Sequence, residues 1–255
     1  MLLIFVPVIS IGGFLFLLAV CALALIGLKE FMMIKETKKE MPIFIKFISY
    51  IMIILFIFTI SYQMPTIALD LRLISGIFIV YLIPVILYNN RKLYSVFDGF
   101  YLTGGLLFLA YAFSVLIYVR NISIDHLIFI LLITTIGDTY AFITGKLIGK
   151  TKLLEDISPN KTLEGAIGGL FMSVLISSSF YLMVINPTIE LHVILIITVF
   201  LSLLSQFGDL IFSAIKRYFG KKDFSDLIPG HGGILDRVDS LLFVLIGYVF
   251  FLTFL

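Results

Sequence analysis

The chain has 255 residues, of which 61% are hydrophobic and 13% are charged. Soluble domains are about 45–50% apolar and about 25% charged, so this composition excludes both a water-soluble globular fold and a disordered chain. Cys21 is the only cysteine, which excludes a disulfide-stapled scaffold. The net charge of +2 gives no indication of a nucleic-acid partner. A polytopic membrane protein, with the lipid bilayer as its surroundings, remains.

Apolar runs long enough to cross a bilayer recur along the whole chain, since a hydrocarbon core about 30 Å thick requires about 20 helical residues. In chain order the eight runs are 2–28, 43–62, 71–88, 99–119, 126–144, 163–185, 191–215 and 234–255. They predict an all-α fold, a polytopic integral membrane helical bundle of about eight transmembrane helices. We expect residues 1–122 to form a lipid-facing scaffold of helices 1–4, and residues 123–255 to form helices 5–8 with a catalytic site.

Basic residues are concentrated in alternate loops. Sixteen of the eighteen Lys and Arg residues flank the loops after the first, third, fifth and seventh runs, and the other loops hold only Arg72 and Arg120. Because Lys and Arg prefer cytoplasmic loops, this distribution predicts that both termini lie outside a cell membrane and that the odd-numbered loops face the cytoplasm.

Two acidic residues lie inside predicted helices. Asp138 follows Gly137 in the fifth run, and Asp209 follows Gly208 in the seventh. An ionisable side chain at the centre of a membrane helix costs at least about 2.5–3.5 kcal/mol on insertion scales, which makes it a functional candidate. Ser213 and Lys216 follow Asp209 at four and seven residues, so all three share one helical face.

The loop after the seventh run holds the densest set of polar residues. It opens with basic residues, passes through a glycine-rich turn and ends at a helix start that carries Asp236 and Asp239. Glycines before a helix are expected to leave backbone N–H groups facing an anion, where the helix dipole favours negative charge. The two acids alone are typical of an ordinary helix start, but beside Asp209 and the basic residues they favour Mg²⁺ with a polyphosphate.

The loop after the fifth run is the second polar segment. It contains Ser158, Lys161, Thr162 and Glu164, a pattern typical of a helix N-terminus with an acid in its first turn. The predicted topology places this loop on the same cytoplasmic side as the basic loop.

Taken together, these residues resemble the signature of the phosphatidate cytidylyltransferases, also called CDP-diacylglycerol synthases. The stretch that carries the resemblance runs from Ser213 to Asp239, with Ser158–Gly165 and Gly137-Asp138-Thr139 similar to other shared segments; its fixed positions include Lys216, Arg217, Lys222, Asp223, Ser225, Pro229, His231, Gly232, Gly233, Asp236, Arg237 and Asp239.

The resemblance implies that CTP and phosphatidic acid give CDP-diacylglycerol and pyrophosphate, with Mg²⁺ required, and it leaves a homodimer open. It implies Asp209 and Asp236 as the leading metal ligands, supported by Asp239 and Asp138. It implies catalytic roles for Asp209, Asp236, Lys216 and Lys222. The implied substrate-binding residues are Ser158, Lys161, Thr162, Glu164, Ser213, Arg217, Asp223, His231, Gly232, Gly233 and Arg237.

Two alternatives stay open at this point. One is a related CTP-dependent enzyme acting on another membrane lipid, such as a polyprenyl or ether-lipid cytidylyltransferase or a lipid kinase. The other, from a different class, is a cation transporter with Asp138 and Asp209 on the ion path. A transporter has no need of the basic segment and glycine-rich turn beside those acids.

Overall fold

The computed structural model describes residues 2–62, 71–88, 93–227, 230 and 232–252. Within these residues a two-stranded antiparallel hairpin, β1 (Lys152–Leu154) and β2 (Ser158–Thr162), interrupts an otherwise helical chain. The helices are α1 (Leu2–Ile11), α2 (Gly13–Glu36), α3 (Ile43–Tyr62), α4 (Leu71–Leu87), α5 (Val96–Ile122), α6 (Ile124–Ile148), α7 (Leu163–Phe180), continued by a π-helical turn (Tyr181–Ile185), α8 (Leu191–Tyr218) and α9 (Leu235–Phe251).

The helices confirm the predicted all-α membrane fold. In the described part of the chain, six are long and apolar enough to cross a bilayer: α2, α3, α5, α6, α7 with its π-helical turn, and α8. The chain is therefore a multi-pass membrane protein. The number of eight spans stays a prediction, because α4 and α9 have 17 residues each.

The first predicted run differs from the structure, which breaks it at Gly12 and extends the second piece to Glu36. Gly12 and Gly13 have φ angles of 67° and 57°, in the left-handed region that interrupts a helix. The Arg120 guanidinium donates to the carbonyls of Ile9 (2.8 Å) and Ser10 (3.0 Å). This side chain satisfies helix-end carbonyls that the break leaves without an intrahelical donor.

The chain divides into two compact units. The first comprises Met1–Asn121 with Phe219–Arg237, and the second comprises Ile122–Tyr218 with Val238–Leu255. The segment Phe219–Arg237, which the sequence groups with the catalytic half, thus belongs to the first unit. The assignment of scaffold and catalysis to separate halves stays a prediction.

In the second unit, α6 packs against α7 through small residues at intervals of four. Gly137, Ala141 and Gly145 lie on α6, and Gly165 and Gly169 lie on α7. A Cβ atom at Gly169 would come within 2.5 Å of the Gly137 carbonyl oxygen and 2.8 Å of the Ala141 Cβ. Small residues at this spacing let membrane helices approach closely, so this seam fixes α6 against α7.

The first unit buries an ion-paired acid of its own. Asp98, 6% exposed at the start of α5, lies 2.7 Å from the Lys35 ammonium and also pairs with Lys39. The backbone N–H and hydroxyl of Ser95 donate to the same carboxylate at 2.7 and 2.8 Å. Its charge is therefore matched by local cations and donors, which explains its burial without a catalytic role.

Candidate active site

A cavity of about 420 Å³ lies in the second unit among α6, the β hairpin, α7 and α8. Asp138 from α6, Lys161 from β2 and Asp209 from α8 line it, together with apolar and small residues such as Phe142 and Gly165. The two acids that the sequence places inside membrane helices, Asp138 and Asp209, therefore line the same cavity from two separate helices.

Asp209 is the most connected acid in this cavity. Its Oδ2 atom pairs with the Lys161 ammonium, and its Oδ1 atom lies 3.3 Å from the Ser213 hydroxyl, which donates to it. Both members of the ion pair are part-exposed, at 31% for the Lys161 side chain and 25% for Asp209. The contact with Ser213 confirms that these two residues share a helical face.

Two further acids lie close enough to Asp209 for their charges to interact with it. The Asp138 carboxyl group interacts electrostatically with Asp209 and Lys161. The Asp239 carboxyl group interacts in the same way with Asp209, Asp138 and Lys216. Asp239 and Lys216 are buried, at 8% and 7% exposure. The cluster of three acids and two lysines has a formal charge of −1 when every group is ionised.

Packing between α8 and α9 explains why Asp239 lies near Asp209. A Cβ atom at Gly208 would come within 2.8 Å of the Phe243 ring, so the glycine lets the two helices approach. Asp239 lies one turn before Phe243 on α9, and Asp209 directly follows Gly208 on α8. Gly208, which directly precedes Asp209, therefore allows close packing of the two helices, as the sequence predicts for a glycine at this position.

The carboxylates fit Mg²⁺ shared with a substrate. Over the ranges that the structure describes, no group of three or more His, Cys, Asp or Glu side chains is placed to enclose a metal ion. Mg²⁺ does not require such a cage, because one or two carboxylates, substrate phosphates and waters usually hold it. Asp138, Asp209 and Asp239 carry oxygen atoms of this kind, and their binding of Mg²⁺ stays a prediction.

The hairpin and the start of α7 place Lys161 on the cavity. Thr162 caps α7 by accepting a hydrogen bond from the Gly165 N–H (3.1 Å), as expected for a helix start. Glu164 accepts from the N–H groups of Lys150 and Thr151, each at 3.1 Å. Ser158–Thr162 itself is a strand, because these residues pair with β1, with Ser158 opposite Leu154.

Arg217 lies at the C-terminal end of α8. Its Nε–H donates to the Ile157 carbonyl at 3.2 Å, which ties the end of α8 to the hairpin turn. The structure therefore gives Arg217 a positioning contact within the second unit, while its predicted contact with a phosphate stays a prediction.

The glycine-rich turn of the first unit differs from the expected anion cradle. The Asp236 Oδ2 atom accepts from the N–H groups of Phe224 (2.9 Å) and Gly233 (2.8 Å). The next two N–H groups, of Ile234 and Leu235, donate to Glu30 at 2.9 and 2.8 Å. These helix-start donors are thus bonded to carboxylates of the chain itself, because the helix dipole attracts any nearby negative charge.

The remaining predicted residues of this segment are less informative. Lys222 and Arg237 are exposed, Asp223 is part-exposed, and Gly232 has a φ angle of 78° that favours glycine. His231 lies outside the described residues. Their substrate-binding roles stay predictions.

Glu30 is the polar residue that sequence reasoning missed. It is 2% exposed in α2, and its carboxylate accepts hydrogen bonds at the start of α9. Local sequence does not mark it, because Glu30 follows Lys29 just beyond the predicted apolar run 2–28, where an acid is ordinary.

Comparison with known proteins identifies the family of the chain. The model of the cytidylyltransferase family matches residues 1–255. The chain is 36% identical over 250 residues to a protein of Staphylococcus saprophyticus named phosphatidate cytidylyltransferase, covering 96% of this chain and 92% of that protein. Proteins of the same name from Staphylococcus epidermidis and Staphylococcus aureus are 35% and 34% identical, over 254 and 250 residues, with the same coverage.

Proposed function

The chain belongs to the cytidylyltransferase family, and we propose that it transfers CMP from CTP to phosphatidic acid, giving CDP-diacylglycerol and pyrophosphate. The observation that carries the proposal is the cavity of the second unit, where intramembrane acids from two helices lie beside Lys161. A cation transporter, the alternative from another class, does not belong to this family.

The reaction needs charge neutralisation more than covalent help from the protein. A phosphate oxygen of phosphatidic acid attacks the α-phosphorus of CTP. The new P–O bond forms as the bond to the β-phosphate oxygen breaks, and pyrophosphate leaves with that electron pair. Since the phosphatidate phosphate is already ionised near pH 7, no strong general base is required.

In the cavity, and in the buried part of the cluster that holds Lys216 and Asp239, the lysines and acids divide this task. Lys161 and Lys216 offset the negative charge of the phosphates, and Asp209 holds the Lys161 ammonium in place through their ion pair. Asp209 would be the leading ligand of Mg²⁺ in this cluster, with Asp138 and Asp239 in support, and the ion would supply further neutralisation of the triphosphate when it is bound.

The remaining signature residues complete the proposal as substrate contacts. Lys222 and Asp236 join Asp209 and Lys216 as catalytic residues, with Asp236 as a further metal ligand. The substrate contacts are Ser158, Lys161, Thr162, Glu164, Ser213, Arg217, Asp223, His231, Gly232, Gly233 and Arg237.

The proposed setting is the cell membrane, with the active site facing the cytoplasm and both termini outside. The distribution of basic residues supports this orientation. It also suits the substrates, because CTP is dissolved in the cytoplasm whereas phosphatidic acid lies in the bilayer.

Purified protein in detergent, supplied with CTP, phosphatidic acid and Mg²⁺, provides the test through pyrophosphate release and formation of CDP-diacylglycerol. We expect turnover with CTP but not ATP, loss of turnover with excess EDTA, and recovery when Mg²⁺ is restored. If the protein turns over a polyprenyl phosphate, an ether lipid or a lipid alcohol faster than phosphatidic acid, that lipid is its substrate instead. Absence of turnover with every CTP and lipid pair would contradict the proposed function.

A further inference from the structure

Glu30 is a buried acid that does not line the cavity. Its Oε1 atom accepts hydrogen bonds from the Ser225 hydroxyl (2.6 Å) and the Ile234 N–H (2.9 Å), and its Oε2 atom accepts from the Leu235 N–H (2.8 Å). All three donors are neutral. The charge is therefore stabilised by these hydrogen bonds and by the positive end of the α9 dipole.

The start of α9 has no local acceptor at the position where a helix usually finds one. The residue before the helix is Ile234, whose side chain cannot accept a hydrogen bond, and it follows Gly232 and Gly233. Glu30 supplies that acceptor from a position 204 residues earlier in the chain than Ile234. A long-range carboxylate thus performs the function of a helix N-cap.

The glycine turn is shaped to admit this carboxylate. A Cβ atom at Gly233 would lie 2.5 Å from the Glu30 Oε1 atom and 2.6 Å from Oε2, so any other residue would displace Glu30. The Gly233 N–H meanwhile donates to Asp236. Glu30 and Asp236 therefore hold successive N–H groups of the same turn.

We propose that Glu30 is a positioning residue for the transfer reaction, fixing the glycine turn and the first turn of α9 so that Asp236 is held in a single orientation. The inference rests on the proposed function, in which Asp236 is a catalytic residue. Glu30 acts through that turn and does not touch a substrate. Ser225, a fixed position of the signature, serves the same contact by donating its hydroxyl to Glu30.

The test is Glu30→Gln in the full-length protein, which keeps the side-chain shape but removes the charge and one acceptor. We expect kcat to fall about tenfold to hundredfold, as for a displaced catalytic group, while the KM for CTP changes less than about threefold. Hydrogen exchange measured by mass spectrometry is expected to become faster in the peptides that contain residues 233–235.

Asp98→Asn is the matched control, because it also removes the charge of a buried acid in the first unit. We expect it to lower thermal stability while leaving kcat per folded molecule and exchange at residues 233–235 unchanged. If Glu30→Gln fails to fold, Ser225→Ala removes one donor and is expected to give a smaller loss of kcat with faster exchange at the same turn.

Wild-type kcat in Glu30→Gln, or in Ser225→Ala where that variant replaces it, would overturn the inference. A lost kcat with unchanged exchange at the turn would overturn it as well. Failure of the proposed function gives a different result, since the wild-type protein would then not turn over CTP, while the exchange measurement would still report whether Glu30 fixes the turn.

Discussion

The ion pair between Lys161 and Asp209 joins a strand of the hairpin to the middle of α8 and keeps two opposite charges on one cavity. Asp209 also accepts from Ser213 and interacts with the charges of Asp138 and Asp239. Removing the charge of Asp209 therefore changes the electrostatic interactions of Lys161, Asp138 and Asp239. Asp209 is accordingly the residue whose replacement tests the site most directly.

Asp209→Asn is expected to reduce CTP-dependent product formation at least about 100-fold, because a preorganised charge beside the reacting phosphates is removed. The protein should still insert and elute as the wild type does. Initial rates of pyrophosphate release on purified variants provide the measurement. Asp125→Asn is the control, since Asp125 lies on the same helix as Asp138 but about 20 Å away along it. Wild-type rates in Asp209→Asn would remove Asp209 from the catalytic role.

At the scale of single residues, the sequence predicts contacts within one helix better than contacts between distant segments. The spacing of Asp209 and Ser213 correctly indicates a shared face, because helical periodicity is a local property. The resemblance implies Lys161 as a substrate-binding residue but does not predict its ion pair with Asp209. That contact depends on how the hairpin folds against α8, and Glu30 reaches α9 through an equally non-local contact.

Among the elements, the seam between α6 and α7 determines where the cavity walls stand. Gly145 and Gly165 belong both to the seam and to the cavity lining. A wider separation of these helices would therefore move Asp138, on α6, relative to the hairpin that precedes α7. The small residues connect packing in the membrane with the geometry of the site.

Gly169→Ala is expected to destabilise the protein by about 1–3 kcal/mol, because the added methyl group overpacks the seam against Gly137 and Ala141. Gly104→Ala in α5 is the matched control, since a Cβ atom there meets nothing within 4 Å. Both changes bring the same gain in helix propensity, so the difference between them reports the clash. Thermal unfolding in detergent provides the measurement, and equal midpoints in the two variants would contradict the role of the seam.

The boundaries of the helices follow from the sequence wherever composition decides them. The predicted run 43–62 coincides with α3, and the run 71–88 ends one residue beyond α4. Helices α6 and α8 continue past their predicted runs to Ile148 and Tyr218, because polar residues remain helical beyond the apolar core. The break at Gly12 falls at a Gly-Gly pair, a turn signal that run length alone does not register. The contact of Arg120 with the carbonyls of Ile9 and Ser10 is, by contrast, non-local.

For the molecule as a whole, the membrane orientation is the prediction that connects the sequence with the supply of CTP. Lys150 follows α6, Glu190 precedes α8, and both are exposed. α7 with its π-helical turn is the candidate span between these two positions. If basic loops face the cytoplasm, Lys150 lies inside and Glu190 lies outside.

Lys150→Cys and Glu190→Cys, expressed separately in intact cells, test this orientation with a membrane-impermeant maleimide. Native Cys21 is buried and provides a low background. We expect Glu190→Cys to be labelled in intact cells and Lys150→Cys to be labelled only after the membrane is permeabilised, because the hydrocarbon core excludes the charged reagent. Labelling of both positions from outside would show that α7 does not cross, and the reversed pattern would place the hairpin and Lys161 on the side away from CTP. An orientation with the hairpin outside would require the nucleotide to reach the cavity from a compartment that lacks it, so the reversed pattern would contradict the proposed function together with the topology.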